Sequence, residues 1–310
     1  MCDLKAPQFQ NEEAARQHLE AIRWPNGPMC PHCGNQGGWA IAGGRPGLYK
    51  CASYPCRKQF SVTVGTVFER SKVPLSKWLM AVHLMCASKK GISAKQVERM
   101  FGVQYKTAWF MCHRIREAMK PNGGGLMGSG GGMVEVDETF IGNKRGMKPK
   151  GQKKGRGYFH KHKVLALVDR DTKKARSVVL DHLNAKSIAP ILRANVAKDA
   201  TLMTDEAFYY TKIGREFGDH QTVSHKDYEW ARGSSHTNTI EGFFSVFKRG
   251  MKGVYQHCGG QHLHRYLSEF DFRYNYRAAA GFADSERAHQ ALLGIGGKRL
   301  MYRDSSAASA

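Results

Sequence analysis

The sequence predicts an α/β fold built on a mixed sheet, set behind a small cysteine-rich unit and a short helical unit. Three observations carry this. Strand-patterned and helix-patterned stretches alternate after residue 132; four cysteines crowd between Cys30 and Cys56; and residues 123–132 read GGGLMGSGGG, seven glycines in ten positions. Glycine gives up too much backbone entropy for such a run to hold a helix or a packed strand. The chain accordingly divides into a helical segment (1–23), a cysteine-rich unit (24–70), a helical unit (71–121), a glycine-rich linker (122–132), an α/β domain (133–280) and a C-terminal segment (281–310). The small polar tail from Asp304 is expected to be disordered.

The cysteine-rich unit carries β-leaning pieces at residues 47–50 and 59–64. Cys30-Pro-His-Cys33 and Cys51-Ala-Ser-Tyr-Pro-Cys56 stand 17 residues apart. Each pair places two thiolates on a tight knuckle, and two knuckles complete a tetrahedral S4 shell for Zn2+. A region this small cannot bury a large core, so zinc would supply much of its folding energy. His32 reads as a solvent- or DNA-facing residue, and Cys86 and Cys112 as small core hydrophobes.

In the helical unit, Ser93-Ala-Lys-Gln96 has the form of a capping box, with Val97, Met100 and Phe101 following at helical spacing. Gly102 is a helix stop. A second helix resumes by Tyr105, with Ala108, Cys112, Ile115 and Met119 on one stripe. Two short helices with a tight turn, the second one basic, suggest a helix-turn-helix. Lys106, Trp109, His113 and Arg114 would then lie on or beside its outward, DNA-facing side.

After the linker, Met133–Ile141 and residues 164–169 and 176–180 read as consecutive strands. A helix (185–196), a strand (200–204), a short helix (209–217) and a strand (220–224) follow. From Thr239 to about Arg277 the pattern is helical, with a break at Gly259-Gly260. Three acids stand out on this frame. Asp137 lies on the strand face opposite Val136, Asp205 ends a later strand, and Glu241 shares a helix face with Lys248 two turns on. Two strand-borne aspartates and a helix-borne glutamate can converge on a pair of Mg2+ ions, which hard oxygen ligands suit. Lys248 would then hold a DNA phosphate. Glu138 beside Asp137 and Glu206 beside Asp205 are rival carboxylates.

Charge points the same way. Lys and Arg number 48 against 26 acids, a formal +22, and it divides evenly at +11 on either side of residue 120. An even split excludes a lone basic tail and argues that both halves meet a polyanion. Residues 144–163 hold nine cations and no acid, Lys144 and Arg145 first among them, a loop able to clamp phosphates beside Asp137. No apolar run approaches the ~18–20 residues of a membrane span. Met-Cys-Asp-Leu-Lys opens the chain without a secretory pattern, and eight cysteines are too sparse for a disulfide scaffold. A cytoplasmic, nucleoid-associated protein without a membrane partner is expected.

Several stretches together resemble the fifteen-ninety-five family of bacterial insertion-sequence DDE transposases with an N-terminal zinc ribbon. They are Cys30-Pro-His-Cys33, Cys56-Arg-Lys-Gln-Phe-Ser61, Thr66-Val-Phe-Glu69, Pro74-Leu-Ser-Lys-Trp78, Tyr105-Lys-Thr-Ala-Trp109, Val136-Asp-Glu-Thr139, His236-Thr-Asn-Thr-Ile-Glu-Gly-Phe-Phe244 and Lys248-Arg-Gly250. The resemblance implies an RNase H-like catalytic domain, with Asp137, Asp205 and Glu241 as its acids and Mg2+ or Mn2+ as their metal. It also implies double-stranded DNA as partner, at the element's ends and at the target, and at least a homodimer in the active complex. His236 and Asn238 fall in the family block and would position substrate; Lys248 and Arg249 would contact DNA. The competing expectations are a DNA-binding regulator with an inert C-terminal domain, and an RNase H-like nuclease.

Overall fold

The computed structural model describes residues 4–144, 158–223, 231–232 and 235–301. Residues 145–157, Arg145 included, lie outside the described residues, as do Ser224 and the polar tail. The chain forms two compact units: Met1–Pro121 with Arg277–Ala310, and Asn122–Tyr276. Among the described residues no helix is long and apolar enough to cross a membrane.

The first unit opens with α1 (Pro7–Gln10) and α2 (Glu12–Arg23), whose N-cap Asn11 accepts from the amides of Glu13 and Ala14. A three-stranded antiparallel sheet follows: β1 (Gly38–Ala40), β2 (Tyr49–Cys51) and β3 (Gln59–Phe60). An aromatic set packs against it, Trp24 meeting Tyr49 and Phe60 edge-on. The strand expected over 59–64 stops at Phe60, because the chain turns there, with the Val64 amide on the Ser61 carbonyl.

Helices α3 (Leu75–Ala87), α4 (Ala94–Phe101) and α5 (Tyr105–Met119) complete this stretch. Ser93 caps α4 through the Gln96 amide, and Gly102 ends it in the left-handed conformation at φ 63°, which glycine adopts without steric penalty. The carboxylate of Glu12 caps α3 through the amides of Leu75 and Ser76.

The second unit begins with the glycine-rich stretch, which forms no helix or named strand and is held by hydrogen bonds. The Gly128 amide donates to Asp169, and the Gly130 and Gly131 amides to Asp199. Met127 forms a parallel bridge with Val196. Glycine is what lets this backbone close in: a Cβ at Gly128 would stand 2.7 Å from both Ala200 and Val134.

The strands and helices then run β4 (Met133–Ile141), β5 (His162–Asp169), β6 (Lys174–Leu180), α6 (Ala185–Asn195), β7 (Thr201–Asp205), α7 (Phe208–Gly214) and β8 (Asp219–Val223). They form one five-stranded sheet in the order β6-β5-β4-β7-β8. β4, β5 and β6 pair antiparallel, while β7 and β8 join parallel to β4, which makes the sheet mixed. Two-residue strands β9 (Ala231–Arg232) and β10 (Ser235–His236) precede α8 (Asn238–Gly250). A π-helical turn, Met251–Tyr255, leads on to α9 (Leu263–Asn275).

Strand alternation divides the core in two. On one face Val134, Val136, Leu165, Leu167 and Leu202 pack against α6 and α7. On the other, Val164, Ala166 and Val168 meet Ile240, Phe244 and Phe247 of α8 and Phe270 of α9. The chain then returns to the first unit through α10 (Asp284–Leu293), which packs on α3. There Arg287 donates to the Cys86 carbonyl and Lys298 to that of Ala118.

Candidate active site and metal centre

The thiols of Cys30, Cys33, Cys51 and Cys56 converge, all four sulfurs lying within 4.8 Å of one another. Cys30 and Cys56 are 3.8 Å apart and Cys33 and Cys51 3.6 Å, far beyond a disulfide. Four sulfurs ~2.3 Å from a tetrahedral centre sit ~3.8 Å from each other, so the set fits Zn2+ without rearrangement. β2 supplies Cys51, and the flanking turns supply the rest.

The acids gather on the other unit. β4 and β7 are parallel, with Glu135 opposite Met203. Two residues further along each strand stand Asp137 and Asp205, so the two carboxylates occupy corresponding positions on neighbouring strands. Both point to the face that α8 covers: Asp137 pairs with Ala166, whose side chain packs under that helix. Glu241 lies in the first turn of α8, with Lys248 two turns on.

Burial pushes the Asp137 carboxyl up to about 7, and the negative charges of Asp205 and Glu241 add to the rise while Lys248 opposes it. Three acids and one lysine therefore share one electrostatic neighbourhood. Such like charge is relieved by protonation or by a cation.

Glu138 is separated from this group by strand alternation. It takes hydrogen bonds from the hydroxyls of Tyr209 and Tyr210, which belong to the opposite core. Burial, with the charge of Asp205 adding to it, raises its carboxyl to about 8. Glu206 follows Asp205 immediately after β7 ends.

A residue the sequence reading passed over holds the arrangement in place. Glu135, fully buried, shares the Asp137 face of β4. Its carboxylate accepts from the Ile240 amide at 2.8 Å, in the first turn of α8, and from Arg170 Nε at 2.6 Å. Arg170 in turn reaches the His236 carbonyl at 2.6 Å and its Nδ1 at 2.8 Å. His236, expected as a substrate contact, is thus engaged with Arg170 and Glu135. The available signal was alternation itself: a glutamate two residues before Asp137 must face the same interior.

The expected DNA contacts separate by exposure. Lys106, Asn238 and Arg249 are exposed, and Lys144 and Lys248 half-buried. His113 and Arg114 correct the expectation of an outward face. His113 is buried against Trp109, itself half-buried, at 4.1 Å between rings, and Arg114 donates to the carbonyls of Glu69 and Leu300. The reason is that α5 is central: nine of its fifteen residues are buried, from Ala108 to Met119, not one stripe alone.

A cysteine-ligated ribbon in one unit and an acid cluster on a mixed sheet in the other define a two-module architecture. Residues 10–59 match the transposase zinc-ribbon domain and residues 130–275 the ISXO2-like transposase domain, both of the IS1595 group. The chain belongs to the IS1595 transposase family, as the sequence resemblance implied. It is similar to an uncharacterized protein in transposable element ISH50 of Halobacterium salinarum, at 28% identity over 279 residues, 86% of this chain and 91% of that protein. A chain in the cryoEM structure of the simian T-cell lymphotropic virus intasome in complex with PP2A regulatory subunit B56 gamma matches at 10% identity and a TM-score of 0.29. That match covers 63% of this chain and 65% of the other.

Proposed function

We propose that the protein is the DNA transposase of an insertion sequence, with Asp137, Asp205 and Glu241 as its catalytic, metal-binding acids. The observation that carries this is the register of β4 and β7, which sets Asp137 and Asp205 side by side under the first turn of α8, where Glu241 stands. The strand order β6-β5-β4-β7-β8, three antiparallel strands and then two parallel ones, supports an RNase H-like catalytic domain.

When bound, Mg2+ or Mn2+ supplies Lewis acidity for in-line displacement at phosphorus. The chain's own residues do the rest. Asp137, Asp205 and Glu241 provide oxygen donors on three separate elements, so their spacing is fixed by the sheet and by α8. Lys248, beside them, neutralises a strand phosphate. Glu135 and Arg170 hold the N-terminus of α8 against β4. Water attacks first to cut at the element's ends, and the freed 3′-hydroxyl then attacks target DNA. Neither displacement calls for a covalent protein–DNA intermediate.

In the other unit, the zinc ribbon and the exposed Lys106 on α5 serve recognition of the terminal repeats. Two ends must be joined in one event, so the active complex is at least a homodimer. It acts on cytoplasmic, nucleoid-associated DNA.

The test is strand joining with purified protein and DNA carrying the terminal repeats that flank the reading frame. Asp137→Asn is expected to abolish Mg2+-dependent joining and leave end binding intact. Equal joining by the variant and the parent would overturn the assignment in favour of a DNA-binding regulator. Cleavage of RNA–DNA hybrid in preference to terminal-repeat DNA would favour a nuclease.

A further inference from the structure

The second unit contains a cavity of about 410 Å3 that the catalytic assignment touches only at Lys248. Its volume falls in the ~300–1,000 Å3 range of small-ligand sites. It is walled by the far end of β4, the turn before β5, and the end of α8 with the π-helical turn that follows.

Its lining combines two kinds of group. Phe140 and Tyr158 form a stacked pair, ring centroids 4.4 Å apart and planes 16° from parallel. Tyr158 is nonetheless 52% exposed, so aromatic surface remains open. Three lysines also line the cavity: Lys161, Lys248 and Lys252. Lys161 Nζ stands 5.2 Å from the Tyr158 centroid. Aromatic surface and cations in one cavity, with no acid among the described lining residues, match a nucleobase with its phosphates.

The wall is also strained. The π-helical turn Met251–Tyr255 ends on Gln256, a non-glycine residue at φ 53° and ψ −54°. π-turns and residues held at positive φ cost energy and gather at functional sites.

Position gives the cavity its meaning. Phe140 lies three residues beyond Asp137 on β4, about 10 Å along the strand and on its other face, while the neighbouring lining residue Ile141 shares the Asp137 face. Lys248 belongs both to the cavity lining and to the electrostatic neighbourhood of Asp137. Through Lys248 the cavity borders the proposed catalytic acids.

We propose that this cavity receives an unpaired nucleotide of the DNA strand next to the scissile phosphate, its base extending the Phe140–Tyr158 stack and its phosphates meeting Lys161, Lys248 and Lys252. This rests on the transposase assignment for the identity of the strand. Capturing a displaced base holds the end of the duplex open beside the acids, and the cost of unpairing is offset by stacking.

The experiment uses the full chain, without added Mg2+, and two probes: a blunt duplex and the same duplex with a short oligothymidylate overhang. The overhang duplex is expected to bind about tenfold more tightly, in line with ~1–3 kcal/mol of stacking per base. Tyr158→Ala removes that preference and Tyr158→Phe retains it; both sit at an exposed position where folding is not at stake. With 5-iodouracil in the overhang, photocrosslinks are expected on the peptides bearing Phe140 or Tyr158. Equal binding of the two duplexes, a preference that survives Tyr158→Ala, or crosslinks confined to other peptides would each overturn the proposal. Strand joining by the same preparation separates the two ideas. Joining that needs Asp137 without overhang preference removes the cavity's role alone; overhang preference without joining removes the transposase assignment alone.

Discussion

The carboxylate of Glu135 on β4 accepts a hydrogen bond from the backbone N–H of Ile240 on α8, at 2.8 Å across 105 residues of sequence. One oxygen thus caps the first turn of the helix, where unpaired amides and the helix dipole favour negative charge. The other oxygen pairs with Arg170 at 2.6 Å. Glu241 is one residue beyond Ile240, so whatever fixes that turn fixes the third acid relative to Asp137.

Glu135→Ala is expected to leave the buried Ile240 amide without its acceptor and to take the carboxylate from Arg170, which keeps its contacts with His236. A buried donor left unsatisfied costs about 1–3 kcal/mol, and the lost ion pair adds to it. The thermal midpoint should fall, and strand joining should fall further than unfolding alone accounts for. Glu135→Gln keeps an acceptor for Ile240 and should recover part of both. Melting curves and joining assays run in parallel at a temperature where each variant is folded decide the matter; full joining by the alanine variant would show that α8 is held by other contacts.

Much of this site could be read from the sequence, because the sequence pattern encodes faces. Alternation in Met133–Ile141 places Asp137 opposite Val136, and the structure keeps that division, with Glu138 on the tyrosine side. Seven-residue spacing puts Glu241 and Lys248 on one side of α8. Pairing between distant segments is less accessible: nothing local in Arg170 or His236 announces a contact with Glu135. Burial from outside is likewise invisible in a helix pattern, and so α5 looked one-sided when the stretch after α9 in fact returns to cover it. The glycine run carries more than its composition tells. Backbone freedom is legible in the sequence; the close approach to Asp169 and Asp199 that it allows is not.

Arg114 and Lys106 lie on the same helix and should behave oppositely. Arg114 is buried and donates to two carbonyls, at 2.9 Å and 3.3 Å. Arg114→Ala is expected to destabilise the first unit by about 1.5–3 kcal/mol, since hydrogen bonds from a charged group are lost. Lys106→Ala should leave stability within ~0.5 kcal/mol. It should weaken DNA binding and reduce the salt dependence by about one counterion. Denaturant melts and salt titrations of both variants give the comparison, and a destabilised Lys106→Ala with unaltered DNA affinity would reverse it.

The ribbon's strands are two or three residues long, and its ring-to-ring contacts among the described residues join Trp24, Tyr49 and Phe60. Zinc held by the four cysteines would then be a main source of order there. Metal analysis of protein purified under reducing conditions should find one Zn2+ per chain. Cys33→Ser or prolonged chelation should expose residues 24–70 to trypsin, while the second unit keeps its own melting transition. A ribbon equally protected with and without zinc would contradict this.

Asp271 gives the second unit a pH dependence of definite sign. It sits on α9, buried, and accepts from the Ser177 amide at 2.8 Å and the Ser177 hydroxyl at 2.6 Å on the edge strand β6. Burial nevertheless outweighs those two bonds and raises its carboxyl from 3.8 to about 6. Folding then favours the protonated form. The folded chain binds more protons than the unfolded one between about pH 4 and 6, so stability falls as pH rises through that window and levels off above it. Two pH units correspond to up to about 3 kcal/mol. Asp271→Asn preserves an acceptor for the Ser177 amide without a titrating proton, and should flatten this part of the profile. Urea melts of the parent and the variant at intervals from pH 4 to 7 measure the difference directly, and parallel profiles for the two proteins would mean that Asp271 stays ionised in the folded state, held by Ser177 despite its burial.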